Sequence, residues 1–547
     1  MRRLQALKTE RSSWEAHWQE IARQMMPRAG RFAEGSSRGD RGGKKHNNII
    51  DNTPILAART LGAGMMAGAT SPARPWFRLT TSDPKLDESA DIKRWLNDVE
   101  EVMRMVFTKS NTYRALHSCY DELGIFGTCA TVVEPDFESV INHRPQTAGE
   151  FYLATNHKGR PDTLFREFDM TVEQMVQSFG LANCSTQVRN LYERRSYDEL
   201  IRVIHAIEPR HERDPGKRDS KNMAWRSVYF EEGREADAVL RESGFKDFPA
   251  LCARWVVHSN DVYGASPGMD ALGDCKQLQH QQRRKGQAID YKVTPPLQVP
   301  GQHKLVDYAP GGITFVDAVG PNNAIRSLFD VNLNLAHLRE DIQDVRQRIN
   351  SAFYADMFLM LYNRRLDDPR MTATEVAERH EEKLLMIGPV LERLHDEMLS
   401  PLVDMAFARM VEAGILPPPP QEMQGRELNV EFVSVLAQAQ RAVATSSVDR
   451  FVMSLGQIAQ LKPDVLDKLN ADSWADKYAD MLGVDPELVV SGEQVVMVRQ
   501  QRAQAQQAAQ EAAMAEQAAG AAAKLGGVRT SEPNALTDVM SAFTGYT

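Results

Sequence analysis

The sequence is poor in cysteine, in uninterrupted apolar runs and in nucleotide-binding signatures, and each shortage excludes a class of protein. Its five cysteines, Cys119, Cys129, Cys184, Cys252 and Cys275, are scattered and never in C-x-x-C spacing. That excludes a zinc ribbon or dithiol motif and fits a reducing compartment, each thiol serving as a small core residue. The longest apolar stretch, around Ile55–Met66, is interrupted by glycines and an arginine, short of the ~18 apolar residues of a membrane span. No apolar segment follows Met1-Arg2-Arg3, so the start does not read as a secretory signal. Positive charge is short as well: the formal net charge is −9, and the chain as a whole is no polyanion binder. A phosphate loop also fails. In Arg41-Gly42-Gly43-Lys44-Lys45, the place of the first glycine is held by Arg38, and Lys45 replaces the metal-binding hydroxyl residue.

What is there is ordinary in bulk and uneven in detail. Hydrophobic residues at 42% and charged residues at 25% fit a folded protein, and this length calls for about two to four folded regions. Residues 1–50 carry 11 Lys and Arg against 5 Asp and Glu, a balance of +6; residues 421–547 carry 10 against 16, a balance of −6. Contact with a polyanion is therefore local or weak. Trp14, Trp18, Ile21 and Met25 share one helical face and predict a helix over 9–26, ended by Pro27. The Gly, Ser and Arg-rich stretch 30–43 reads as an arm. Thr53 as cap and Pro54 in the first turn predict a helix to Met66. A strand is expected at Trp76–Thr80 after the Ser71–Pro75 break, then a helix over Ala90–Phe107. Between Thr128 and Val257 the texture is mixed α+β, with strands near 131–133, 151–154, 201–207 and 227–230 and a helix over Thr171–Phe179.

The next stretch predicts an outstretched hairpin. A helix capped by Ser266 spans Pro267–Tyr291, and its part Gln277–Gln287 is polar nearly all round. A Pro- and Gly-rich β-like segment follows to Pro321. A second helix, 328–357, carries Leu335, Leu338, Ile342, Val345, Ile349 and Phe353 on one stripe, roughly 45 Å at ~1.5 Å per residue. A helix polar all round is expected to face water or neighbouring copies and not a core. Residues 358–371 read as a loop. The capping box Thr372/Glu375 starts a helix to about Glu412 with a break at Gly388-Pro389. Pro417–Pro420 form a stiff spacer, Leu428–Val435 a strand, and helices follow to about Arg499. Gln500–Ala523 is an Ala/Gln-rich helix, and the last twenty residues are expected to be disordered.

No motif nominates a catalytic centre. Gly264-Ala265-Ser266-Pro267-Gly268 matches the nucleophile elbow, but Pro267 lacks the N–H that the oxyanion hole requires; Ser266 reads as a helix cap. His380-Glu381-Glu382-Lys383-Leu384 lacks the second histidine of a zinc site. Arg38-Gly39-Asp40 carries no weight. A hydrolase or nuclease reading would rest on Asp136, Glu138, His143 and His157, which are merely near in sequence. Arg283, Arg284 and Lys285 form a basic patch on the polar helix, either solvated or ion-paired to a neighbouring subunit, or else touching phosphates. Arg364 and Arg365 pose the same choice between a solvated loop and phosphate contact, which would carry no base readout.

Ile50-Asp51-Asn52-Thr53-Pro54, Leu61-Gly62-Ala63-Gly64-Met65-Met66 and Ser71-Pro72-Ala73-Arg74-Pro75-Trp76-Phe77-Arg78-Leu79 together resemble the N-terminal signature of the head-to-tail connector (portal) family of short-tailed bacteriophages. Pro369-Arg370-Met371-Thr372-Ala373-Thr374-Glu375-Val376 resembles that family's central block, and the likeness runs over roughly residues 10–500. The resemblance implies a mainly helical α+β portal fold: wing at 1–266, stem helices at 267–291 and 328–357, clip at 292–327, tunnel loop at 358–371, a further wing helix at 372–420, crown at 421–499 and a helical extension at 500–547. It implies a ring, usually dodecameric, at one capsid vertex of the virion, made in the host cytoplasm. Double-stranded DNA would pass through it without sequence specificity. The tunnel loop would offer Asn363, Arg364, Arg365 and Arg370 to that DNA. The clip, with His303, Lys304 and Asp307, would dock the large terminase subunit and then tail adaptor proteins. Major capsid and scaffolding proteins are the other implied partners. No enzyme activity, cofactor, metal or membrane contact is expected. Another virion component, an adaptor or scaffold, is the alternative.

Overall fold

Trp18, Ile21 and Met25 are fully buried along α1 (Arg2–Met25) in the computed structural model. The helix begins two turns before the expected Thr9, because Leu4 and Leu7 extend its apolar stripe onto a sheet. The structure describes residues 2–29, 31, 49–83, 86, 89–217, 219–232, 239–293, 297–298, 326–327, 335–362, 387–423, 425–426, 428–433, 451–458, 462, 464, 469–482, 490 and 492–526. It falls into two units, Met1–Gln440 and Arg441–Thr547. The arm at 30–43, apart from Arg31, lies outside the described residues, as do the Thr372/Glu375 capping box and the final twenty residues.

In the first unit, α2 (Thr53–Ala69) starts at the cap position Asn52, with Pro54 in its first turn. Thr53 is not the cap; its hydroxyl and amide donate to Asp51 Oδ1 at 2.6 and 3.0 Å. Strand β1 (Phe77–Thr81) and helix α3 (Ala90–Lys109) fall where the pattern put them. Helix α4 (Thr112–Phe126) was not anticipated, although Leu116, Cys119, Tyr120, Leu123 and Phe126 mark its buried face. It ends at Gly127, whose φ of 77° suits glycine; an added Cβ would lie 2.1 Å from the Gly264 carbonyl oxygen. Around these helices, Trp18 donates to the Phe126 carbonyl at 3.0 Å and meets the Tyr263 ring edge-on at 5.1 Å. Each such large apolar side chain contributes on the order of 1.5–3 kcal/mol by burial.

Strands β2 (Ala130–Asp136) and β3 (Val140–Gln146) pair, with β9 (Ala250–Leu251) on the far side of β2. A five-stranded antiparallel meander holds β4 (Phe151–Thr155), β5 (Pro161–Thr171), β6 (Leu200–Pro209), β7 (Trp225–Glu231) and β8 (Val239–Phe245). One face packs Val203, Tyr229 and Leu240 under α5 (Val172–Phe179) and α6 (Thr186–Glu193); the other packs Ile204 and Ala206 under Leu4 and Leu7. The alternation is the period of two of a pleated strand. β5 escaped the sequence reading because its charges hide that period. Arg166 is buried and donates to His205 Nδ1 at 3.0 Å and Glu134 at 3.1 Å.

The hairpin follows. Ser266 caps α7 (Pro267–Asp270), accepting from the Met269 amide at 3.1 Å, and α8 (Leu272–Val293) continues. β10 (Leu297–Gln298) pairs antiparallel with β11 (Arg326–Ser327), and α9 (Leu335–Ala352) returns. The second helix was expected unbroken to Met357. It breaks at Tyr354, whose φ is 54°, and resumes as α10 (Ala355–Tyr362). The loop expected from 358 therefore starts no earlier than 363. Helix α11 (387–394) runs through Gly388-Pro389, where a break was expected. The irregularity comes instead as a π-turn at His395–Leu399 leading into α12 (Ser400–Ala413). Pro401 has no N–H to donate four residues back, so the helical ladder slips there. β12 (Leu428–Phe432) pairs with β1, Phe77 opposite Phe432. That ladder ties 428–432 to the first unit, although the sequence reading began the crown at 421.

The second unit holds α13 (451–458), α14 (Ala471–Leu482) and α15 (Gly492–Gly526). Arg499 grips Asp472 through two 2.6 Å contacts. The Ala/Gln helix begins at Gly492, eight residues before its expected start.

Candidate functional site

The base of the hairpin is a polar layer closed by its own amides. Gln279 is buried in α8; its Oε1 accepts from the Ile50 and Asp51 amides at 2.7 and 3.0 Å, and its Nε2 donates to the Asp51 carbonyl at 2.7 Å. One turn on, Gln282 donates to Asp51 Oδ2 at 2.7 Å, and Arg346 of α9 donates to the same oxygen at 2.8 and 3.1 Å. Gln281 donates to Asp341, and Arg348 pairs with Asp274 at 3.2 Å. One carboxylate thus holds both hairpin helices to the segment entering α2. Burial works to raise the Asp51 carboxyl. The bonds from Thr53, Arg346 and Gln282 outweigh it and hold Asp51 below the usual carboxylate value. The expectation that this polar helix only faces water or copies needs correction. Its inner side is a polar core in which Gln279 is bonded at both ends, because a glutamine can donate and accept at once, while the buried Gln281 Oε1 accepts from no described group.

The outer side agrees with the expectation. Arg283 and Arg284 are exposed and Lys285 is half-buried, and none of the three forms an ion pair among the described residues. Lys276, lower on the same helix, pairs with Glu20. Asn363, Arg364, Arg365 and Arg370 lie outside the described residues, as do His303, Lys304 and Asp307. Helix α10, which leads up to residue 363, is described. Phe358 is buried against α2, and a Cβ on Gly64 would stand 2.2 Å from its ring. Sequence reasoning missed Asp51, Gln279 and Gly64 as positions that hold the hairpin base together, though Asp51 and Gly64 sit inside the very motifs that carried the resemblance.

The hydrolase candidates do not converge. Asp136 accepts from the Ser139 amide and hydroxyl at 2.8 and 2.7 Å in the β2–β3 turn. His143 is buried beside Thr112 at 3.0 Å, and burial lowers its pKa to about 4. Glu138 lies in the same turn and reaches Asp136 through its backbone only, and His157 sits in the separate β4–β5 turn. Ser266 Oγ donates to the Ile125 carbonyl at 2.7 Å, which makes it a buried cap. The five cysteines are buried, and none is in a disulfide. Among the described residues no group of His, Cys, Asp and Glu could hold a metal, and no helix is long and apolar enough to cross a membrane.

Fold and site define a mainly helical α+β protein whose most built feature is a braced helical hairpin. Comparison with known proteins agrees. Residues 1–490 match the family described as bacteriophage head to tail connecting protein. A "Probable portal protein" of Bordetella phage BPP-1 is 61% identical over 99% of this chain and 97% of its own length. The "Portal protein" of Salmonella phage epsilon15 is 45% identical over the same shares. The neck of an empty gene transfer agent particle aligns at 11% identity, covering 80% of this chain and 90% of that one, with a TM-score of 0.36. The chain belongs to the bacteriophage head to tail connecting protein family.

Proposed function

We propose that copies of this chain close into a ring, a dodecamer, at one vertex of a phage head, and that viral double-stranded DNA enters and leaves through its channel. The carrying observation is the near-full-length identity to two proteins named as portal proteins. The hairpin base supports the reading, since it fixes two helices rigidly while leaving their outer sides charged and exposed. In this reading α8 and α9 are the stem, the segment 292–327 with His303, Lys304 and Asp307 is the clip, and it docks the large terminase subunit and then tail adaptors. The wing is 1–266 with the helices at 372–420, and it meets capsid and scaffolding proteins. The crown lies in 421–499, shortened at its start by the β1–β12 ladder, with 500–547 as its extension. Asn363, Arg364, Arg365 and Arg370 face the DNA and slow it little, because a net-acidic subunit avoids tight phosphate binding. The chain does no covalent chemistry; its role is assembly and conduction.

Negative-stain electron microscopy with mass photometry of the purified protein tests this. Rings with a central hole and a dodecameric mass are expected; a uniform small particle at every salt and concentration would overturn the reading. Deleting 363–371 should leave rings intact and impair DNA packaging. The deletion begins after Tyr362 because Phe358 belongs to the core.

A further inference from the structure

A cleft of about 550 Å³ opens between the β4–β5 turn, the start of β7 at Trp225 and the first turns of α12. That is the size of a small-ligand site. Ion pairs lock its walls. Arg160 holds Asp396 at 2.6 Å, and the buried Arg254 holds the buried Glu397 at 2.6 Å. Lys246, next to Asp247 in the chain, and Arg409 of α12 both go to Glu412, at 2.6 and 2.7 Å. These four cations are therefore committed to other carboxylates. Three carboxylates that line the cleft are left unmatched. Asp247 and Asp404 form no ion pair or hydrogen bond among the described residues, and the Asp162 carboxylate accepts only from the Thr163 hydroxyl, at 2.9 Å. Asp404 reaches solvent, yet burial by the walls and the nearby Asp247 charge push its carboxyl up.

The unmatched carboxylates are spaced along an aromatic wall. Trp225 donates through Nε1 to the Asp162 carbonyl at 3.1 Å, and its ring stands 6.3 Å from that of Phe248. Phe248 adjoins Asp247 in the chain, and Asp247 lies near Asp404. The order along the cleft is anionic, aromatic, aromatic, anionic. Cys252, buried in the same lining, has a thiol that makes no hydrogen bond among the described residues. Among those residues no three of His, Cys, Asp and Glu could hold a metal ion, so the arrangement calls for a cation whose charge is spread along a chain. A linear alkyl amine with an ammonium at each end matches it. Its charges meet the carboxylates, and its methylenes cover the rings, whose faces also attract ammonium groups. We infer that this cleft binds a linear aliphatic polyamine, with one ammonium between Asp247 and Asp404, another at Asp162, and the alkyl stem across Trp225 and Phe248. The cleft lies within a single chain, so the inference stands apart from the ring reading.

Isothermal titration calorimetry of the full-length protein with spermidine, putrescine and butylamine, at neutral pH and low salt, tests this. Spermidine and putrescine should bind at one site per chain. Putrescine should bind roughly tenfold more tightly than butylamine, which has the same alkyl length and a single charge. Asp247→Asn with Asp404→Asn should weaken putrescine roughly tenfold and bring it close to butylamine. Trp225→Leu, which keeps an apolar wall and removes the π face, should weaken all three amines by about a few-fold. A thermal unfolding midpoint near the parent's shows that a variant has lost the site and not the fold. Should a variant unfold, the comparison of putrescine with butylamine on the unaltered chain still decides. Equal affinity for the two overturns the inference. So do many weak sites that survive both variants, which would be adventitious counter-ions of an acidic chain. A short arginine-rich peptide is titrated in parallel. If it binds in the cleft and no amine does, the cleft receives a protein side chain and the polyamine assignment is overturned.

Discussion

The core around α1, α2 and α4 and the hairpin base solve burial in opposite ways. In that core, Trp18, Phe126 and Tyr263 close an aromatic cluster. Its few buried carboxylates are held at a cost: burial pushes Glu122 up to about 8 and Glu100 up to about 7. At the hairpin base a carboxylate is equally hidden but supplied with donors, so Asp51 stays charged and low. The aromatic core gains from excluding water, a non-directional effect. The base gains from directed bonds, which fix orientation as well as position. A segment that must hold two long helices at a set angle has more use for the second.

The comparison can be broken most strongly in the aromatic core. Trp18→Ala should cost about 3–5 kcal/mol, read as a lower midpoint in chemical denaturation, because a cavity opens among Trp14, Phe126 and Tyr263. A midpoint within error of the parent would mean that the cluster does not support the fold. Asp51→Ala should cost on the order of 3 kcal/mol and act locally, with faster hydrogen exchange across Leu272–Val293 than in the β4–β8 sheet. Uniform acceleration would show that Asp51 is not a hinge brace. Its pH dependence has a definite sign. A carboxyl lowered in the folded state contributes stability above its unfolded pKa and loses it as pH falls through the folded value, so the brace weakens in acid. Glu122 has the reverse sign. Its raised pKa means that stability is full below about 4.5 and falls as pH rises through about 8. Glu122→Gln should flatten that decline and add about 1–2 kcal/mol at pH 8, measured by thermal unfolding at pH 6 and pH 8. An unchanged slope would assign the alkaline loss elsewhere.

Legibility followed the same division. Helix α1, helix α3, the Ser266 cap and the strands β1 and β12 were visible because apolar period and turn chemistry act locally. β5 was hidden because its charges pair across strands, Arg166 with Glu134 and Asp169 with Arg202. Helix α4 had its stripe in plain view and was passed over. The break at Tyr354 carried no local signal: neither proline nor glycine stands there, and the left-handed turn is held by the packing of Phe353 and Phe358 on either side.

By itself the sequence determined the sign and spacing of charge along α8 and α9, the start of the hairpin at Ser266-Pro267, and the family, through motifs around Asp51, Gly64 and Trp76. These are properties of neighbours along the chain, and short-range backbone and side-chain preferences express them directly. Only the tertiary structure decided that Asp51 would meet Gln279, Gln282 and Arg346, more than two hundred positions away, and that Gly64 would lie under Phe358. Such contacts depend on which surfaces remain to be covered once every element has formed, and no local pattern encodes that remainder.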